Sequence, residues 1–227
     1  MQNNFSKLQC ITLTGLFGAI IFLLTFTPLG FPQIPLIGSA TIIHIPVIIG
    51  AILMGPKYGA ILGFMFGLSS FIFASTLSMA LNAFAFTPLR PVPGTDSGSP
   101  WSLLVAFVPR ILVGVVVPLA FYGMKKIKVP DVLNMAISAV IGSATNTLLV
   151  LHMLYFMFRE PWGYARAVAG VELPQITYAF VAGIITGFGI PEAIAAAVIV
   201  PAVGVPLLML SKRLSKGTND SGTERNA

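Results

Sequence analysis

Four long stretches of the chain carry no Asp, Glu, Lys or Arg: residues 8–56, 58–89, 132–158 and 193–211. A helix crosses the hydrocarbon core of a bilayer with about 20 apolar residues, and a charge inside that core is costly. Stretches of this length and purity therefore restrict the fold more than any other feature. Charged residues make up 9% of the chain, against about 25% in a soluble domain. The chain reads as an all-α, polytopic membrane protein of six transmembrane helices. Residues 1–212 form a single domain and residues 213–227 a disordered cytoplasmic tail, with no soluble region large enough to hold its own core.

The formal net charge is +6. Lys7, Lys57, Lys125, Lys126, Lys128, Lys212, Arg213, Lys216 and Arg225 fall in alternate connections, whereas Arg90, Arg159 and Arg166 fall in the others and Arg110 lies inside a span. Cytoplasmic connections are enriched in Lys and Arg, which places both termini in the cytoplasm. This interleaving argues against a nucleic-acid partner, while the cluster at 212–216 suits anionic lipid. The single cysteine, Cys10, excludes a disulfide framework. The first apolar run is long enough to span and ends in no small-residue cleavage site, so it reads as a helix rather than a signal peptide.

Expected helices lie at about 11–27, 41–54, 56–74, 101–123, 132–157 and 190–210, joined by external connections at 28–40, 75–100 and 159–189 that act as lids. Pro191 and Glu192 open the last helix, and the apolar piece 176–188 reads as a separate half-helix at the outer face. Gly55, Gly59, Gly63 and Gly67 recur every fourth residue, so they form one slowly drifting stripe on an α-helix. Lipid gives helices no hydrophobic reason to associate, and close contact depends on small residues. The stripe is a helix-packing face, within this chain or against another subunit. Gly15 and Ala19 form a shorter small pair on the first helix.

Arg110 is the most informative side chain. It lies about 13 Å below the outer end of its helix, and Asn146 about 16 Å below the outer end of the next, at about 1.5 Å per residue. The depths agree, so one cavity can hold both. No acidic residue falls inside any expected helix core; Glu172 and Glu192 are placed at the outer surface. An intramembrane arginine without a carboxylate partner points to an anion site open to the outside. Thr145 and His152 share a face of the same helix as Asn146, with Tyr155 near them, and are weaker hydrogen-bonding candidates. His44 is weaker again, and Arg90 is an external cation that can attract anions. Trp101 and Trp162 read as interfacial belt residues. The chain has no phosphate-binding G-x-x-x-x-G-K-[ST], no H-E-x-x-H, no G-x-S-x-G and no metal-ligand pattern. An intramembrane enzyme is disfavoured by the missing catalytic pairs. A purely structural subunit is disfavoured by Arg110.

The segments HIPVIIGAILMGPKYGAILGFMFGLSS, FVPRILVG and GIPEAIAAAVIVPAV resemble the substrate-binding S components of energy-coupling factor vitamin transporters, over roughly residues 13–210. Within that family the likeness is greatest to pantothenate-specific members, while riboflavin, folate or pyridoxine stay open as the vitamin. The resemblance implies six helices, a vitamin site near the outer face, no cofactor or metal, and residence in the bacterial cell membrane. It also implies partners: a membrane coupling subunit and two cytosolic ATPase subunits, with delivery by toppling in the bilayer. The family's small-residue docking pattern falls on Gly15 and Ala19, with glycine where the family has alanine. Replacing Gly15 or Ala19 with Leu is expected to hinder assembly with the coupling subunit and leave vitamin binding by the isolated chain intact. Co-purification of both variants with the other subunits at wild-type levels would remove the assignment.

Overall fold

The segment HIPVIIGAILM is apolar on every side except at its first residue, and a helix of that kind has to be enclosed by others. The computed structural model describes residues 5–30, 33–34, 38–39, 41–170 and 176–223. In it this segment forms α2 (His44–Met54), and all of its 11 residues are buried. At about 1.5 Å per residue it is only about 16 Å long, too short to cross a bilayer core unaided. It stands as a central post. Around it pack α1 (Lys7–Thr25), α3 (Pro56–Thr76), α4 (Trp101–Lys126) and α5 (Asp131–Val168). α6 (Tyr178–Ile184) passes through a π turn (Ile185–Gly189) into α7 (Ile190–Thr223), so six helical rods are present among the described residues. Five are long and apolar enough to cross a membrane. A two-residue antiparallel pair, Gln33–Ile34 with Gly38–Ser39, precedes α2.

Local signals set these boundaries. Ser6 caps α1 and exchanges hydrogen bonds with Gln9, a reciprocal capping box. Gly55 links α2 to α3 with φ +90°, a conformation that side-chain-bearing residues avoid, and Pro56 starts α3 where its missing N–H costs nothing. Gly55 is thus a turn residue. Gly59, Gly63 and Gly67 press against α4: a Cβ at Gly59 would overlap the Gly114 carbonyl, one at Gly63 the Arg110 carbonyl, and one at Gly67 Phe107 and the Ala106 carbonyl. The two helices run antiparallel, backbone against backbone.

The rods alternate in direction. Lys7, Lys57, Lys126, Asp131 and Lys212 gather at one end, where Lys212 pairs with Asp131 at 2.8 Å. An apolar core surrounds α2 with Phe17, Ile21, Leu62, Phe66, Val117, Phe121 and Met135. A second cluster lies toward the opposite end and includes Phe84, Val105, Leu154, Phe158, Trp162 and Val181.

Three expectations are corrected. α5 does not stop at residue 157. It bends at Phe158, whose φ of −134° breaks the helix, and resumes through Pro161 to Val168; Pro161 has no N–H for the Met157 carbonyl. The piece 176–188 is not a separate half-helix, nor does the last rod start at residue 190. The chain widens into a π turn just before Pro191, with the Ile190 N–H donating to Ile185 O, and the rod continues from Tyr178 to Lys212. Trp162 is not a belt residue: it is buried and meets Phe180 edge-on at 5.5 Å, while Trp101 is exposed. Glu172, the side chains from residue 213 onward and residues 224–227 lie outside the described set; of the expected tail, the backbone of 213–223 continues α7.

Gly63→Leu is expected to lower the chain's own melting temperature by several degrees, because the added side chain must push α4 away, and overpacking costs about 1–3 kcal/mol or more. Thermal unfolding of the isolated chain in detergent measures this; an unchanged midpoint would show that the α3–α4 contact yields without cost.

Candidate functional site

Pro109 lies inside α4 and has no N–H to offer the Val105 carbonyl one turn back. The next residue fills that gap: Arg110 Nη1 donates to Val105 O at 2.7 Å. Its guanidinium lies between two rings, Phe66 of α3 at 5.4 Å and Phe86 at 5.0 Å. Phe86 ends a 3₁₀ turn, Ala83–Phe86, in the connection between α3 and α4. That turn is fixed by the Ser102 hydroxyl, which donates to Phe84 O at 2.8 Å. Arg110 is only 7% exposed, its Nε has no hydrogen-bond partner, and among the described residues it pairs with no carboxylate. The sequence thus holds a cation in an aromatic clamp and leaves its charge unanswered.

Other groups lie at related depths. Gly142 of α5 packs against Ile48 of α2 and Val117 of α4, which fixes one common layer. Toward the end away from the lysines, His44 stands one turn above Ile48, and Asn146 one turn above Gly142, each about 6 Å from that layer. Arg110 stands about 10 Å above it on the same rise. His44 is 1% exposed, and neither ring nitrogen has a well-formed hydrogen bond, although the Thr41 backbone stands nearby. Asn146 Oδ1 and Ser143 Oγ are buried without partners as well. Buried polar groups are nearly always paired, so orphaned atoms on three adjacent helices single this region out. The set offers a fixed cation, an amide, a hydroxyl and an imidazole beside aliphatic and aromatic walls. It suits a small molecule with an acidic end and several hydrogen-bonding groups.

The remaining candidates lie elsewhere. Thr145 donates to Ile141 O at 2.7 Å, within its own helix. Both ring nitrogens of His152 are engaged, one with Leu148 O at 2.6 Å and the other with the Tyr178 hydroxyl at 3.2 Å. Tyr155 meets the Tyr178 ring edge-on at 5.9 Å and lines a cleft of about 540 Å³ at the bend of α5, with Arg159 and Glu160. These residues form a rim seam between α5 and α6. Arg90 is half-exposed and makes no hydrogen bond or ion pair among the described residues. Gly15 and Ala19 lie on the outward face of α1, where a Cβ at Gly15 would meet nothing.

Sequence reasoning missed two residues. Ser143 has no distinguishing pattern. Glu192, expected at the outer surface, is 8% exposed and lies within the continuous rod; its Oε1 accepts from the Thr41 N–H at 2.6 Å and its Oε2 from the Thr147 hydroxyl at 3.2 Å. The available signal was the four-residue spacing of Glu192, Ala196, Val200, Gly204 and Leu208, all of them buried.

Comparison with known proteins adds two findings. The family described as ECF transporter, substrate-specific component, matches residues 9–204. The pantothenic acid transporter PanT of Lactococcus lactis subsp. cremoris (strain MG1363) is 35% identical over 190 residues, covering 82% of this chain and 94% of that protein.

Orphaned polar atoms cost stability, about 1–3 kcal/mol for each unsatisfied group. His44→Phe keeps the ring and removes both nitrogens, so the ligand-free variant is expected to melt at or a few degrees above the wild-type temperature. A drop of several degrees in a thermal scan would mean that the imidazole is satisfied in the folded protein.

Proposed function

The chain belongs to the substrate-specific components of ECF transporters, and on that premise we propose that its substrate is pantothenate, held by Arg110. It is a transporter subunit rather than an enzyme, and a membrane protein that works with the ECF module. The carrying observation is the buried guanidinium between Phe66 and Phe86 with no carboxylate beside it. Pantothenate has a carboxylate, an amide, two hydroxyls and a gem-dimethyl group. The planar guanidinium makes two parallel hydrogen bonds to the carboxylate. Asn146 both donates and accepts, which suits the amide or a hydroxyl, and His44 and Ser143 serve the remaining hydroxyls. The L. lactis relative is a pantothenic acid transporter, which supports the same substrate.

The reading extends to assembly. The coupling subunit docks on the exposed Gly15–Ala19 face of α1, and two cytosolic ATPase subunits supply the hydrolysis. The chain resides in the bacterial plasma membrane with both termini cytoplasmic, so the lysine-bearing end faces inward and the Arg110 half outward. The connection at 77–100, which carries Phe86, covers the site from outside. Delivery follows when the loaded subunit topples in the bilayer.

Isothermal titration of the purified chain with pantothenate, riboflavin, folate and pyridoxine tests the substrate; saturable heat with a vitamin other than pantothenate would replace it. Leaving a buried charge unpaired costs about 3–5 kcal/mol, or roughly two to four powers of ten in affinity. Arg110→Gln is therefore expected to weaken pantothenate binding at least a hundredfold in a folded sample. The neutral amide analogue should bind wild type poorly and lose far less on going to the variant. Wild-type affinity in folded Arg110→Gln would move the carboxylate elsewhere, with Arg90 the next cation to examine.

A further inference from the structure

We infer that Glu192 is the positioning residue of the ligand site, clamping the start of α2 to the turn of α5 that carries Asn146; the role assigned to those two elements rests on the binding reading above. Glu192 reaches two elements at once. Its Oε1 accepts from the Thr41 N–H at 2.6 Å, and Thr41 lies three residues before His44. Its Oε2 accepts from the Thr147 hydroxyl at 3.2 Å, and Thr147 directly follows Asn146. With each oxygen held by one donor and the side chain 8% exposed, the carboxylate acts through the two elements it joins.

α2 lacks a side-chain cap of its own: Ile43 stands at its N-cap and makes no side-chain capping bond. The start of the helix is otherwise tied by Ile45 N–H to Ile42 O and by Ile42 N–H to Gly30 O. An acceptor brought in from α7 holds what the helix cannot hold by itself, and a carboxylate is favoured near a helix N-terminus. The short bond to Thr41 is of the charge-assisted kind. His44 and Asn146 therefore keep their relative placement through one side chain on a third element.

The role requires two acceptor or donor positions but not a full charge. Gln fits: its Oε1 accepts from the Thr41 N–H, and its Nε2 donates to the Thr147 hydroxyl, which reverses its own direction. Ala removes both bonds.

The test uses the full chain in detergent with Glu192→Ala, Glu192→Gln and Thr147→Val. Pantothenate affinity is measured by titration, and amide exchange over residues 41–47 is measured without ligand. The expected results are a tenfold or greater loss of affinity in Glu192→Ala and a smaller loss in Thr147→Val. Glu192→Gln should stay within about threefold of wild type. Amide exchange over 41–47 should rise in Glu192→Ala and return toward wild type in Glu192→Gln. Should Glu192→Ala fail to fold, Thr147→Val and Glu192→Gln still decide. Wild-type affinity in Thr147→Val, or a loss in Glu192→Gln as large as a hundredfold, overturns the clamp, the latter by showing that the charge itself faces the ligand. Unchanged exchange in a folded Glu192→Ala also overturns it, whichever vitamin binds. Failure of the wild type to bind pantothenate refutes the substrate and leaves the exchange readout standing.

Discussion

The α3–α4 contact is the constraint on which the rest of the structure depends. In lipid a helix pair gains little from apolar side chains, and two backbones at van der Waals distance are the strong alternative. Gly59, Gly63 and Gly67 make that approach possible against Gly114, Arg110 and Phe107. Once the pair is fixed, α2 leaves α3 through the tight Gly55 turn and is confined beside it, and α5 closes the opposite side through Gly142 against Ile48 and Val117. The same contact serves the site. Gly63 abuts the carbonyl of Arg110, so the one residue that carries the buried cation has its backbone immobilised by the neighbouring helix.

Most of the helical plan was legible because it follows from solvation alone. Long charge-free runs have one outcome in a bilayer, and the alternation of lysines orders the ends. The fifth helix was ended at residue 157, where its charge-free run stops, and Pro191 was read as opening a new helix; both rods run on past a proline. In a membrane the released carbonyls find other partners or the helix widens locally, and the rod continues. That substitution of hydrogen bonds depends on neighbours, and a linear sequence does not display them. α2 erred in the other direction: its apolar run looked like a span, yet it is short and enclosed on every side.

The candidate site was legible where a residue is anomalous by itself. A lone arginine or asparagine deep in an apolar run stands out, and their matching depths needed only the helical rise. His44 looked weak because nothing in the sequence reports whether a ring nitrogen will find a partner; its orphaned state emerges only when α2 is buried whole. Ser143 and Glu192 belong to the same class. Thr145, His152 and Tyr155 were grouped with Asn146 by proximity on one helix, but a third to a half of a turn, at about 100° per residue, separates Asn146 from the His152 and Tyr155 side that meets Tyr178. Arg110 shows the opposite economy: Pro109, a defect in the helix ladder, leaves free the Val105 carbonyl that orients it.

The π turn at Ile185–Gly189 gives the last rod an angular offset. A π turn holds one residue more than an α turn, and one residue corresponds to about 100° of rotation. The two stretches of the rod are therefore out of phase, like the throws of a crankshaft. Val181 closes the aromatic cluster at the bend of α5, while Glu192, Ala196 and Val200 face a different seam along α2 and α5. A single straight helix could serve one of these seams in register, not both. Closing the π turn into an α turn at constant length would swing Val181 and Tyr178 by about 100° relative to the stripe below, whereas removing one residue between 185 and 189 would absorb the bulge and leave both stretches in place.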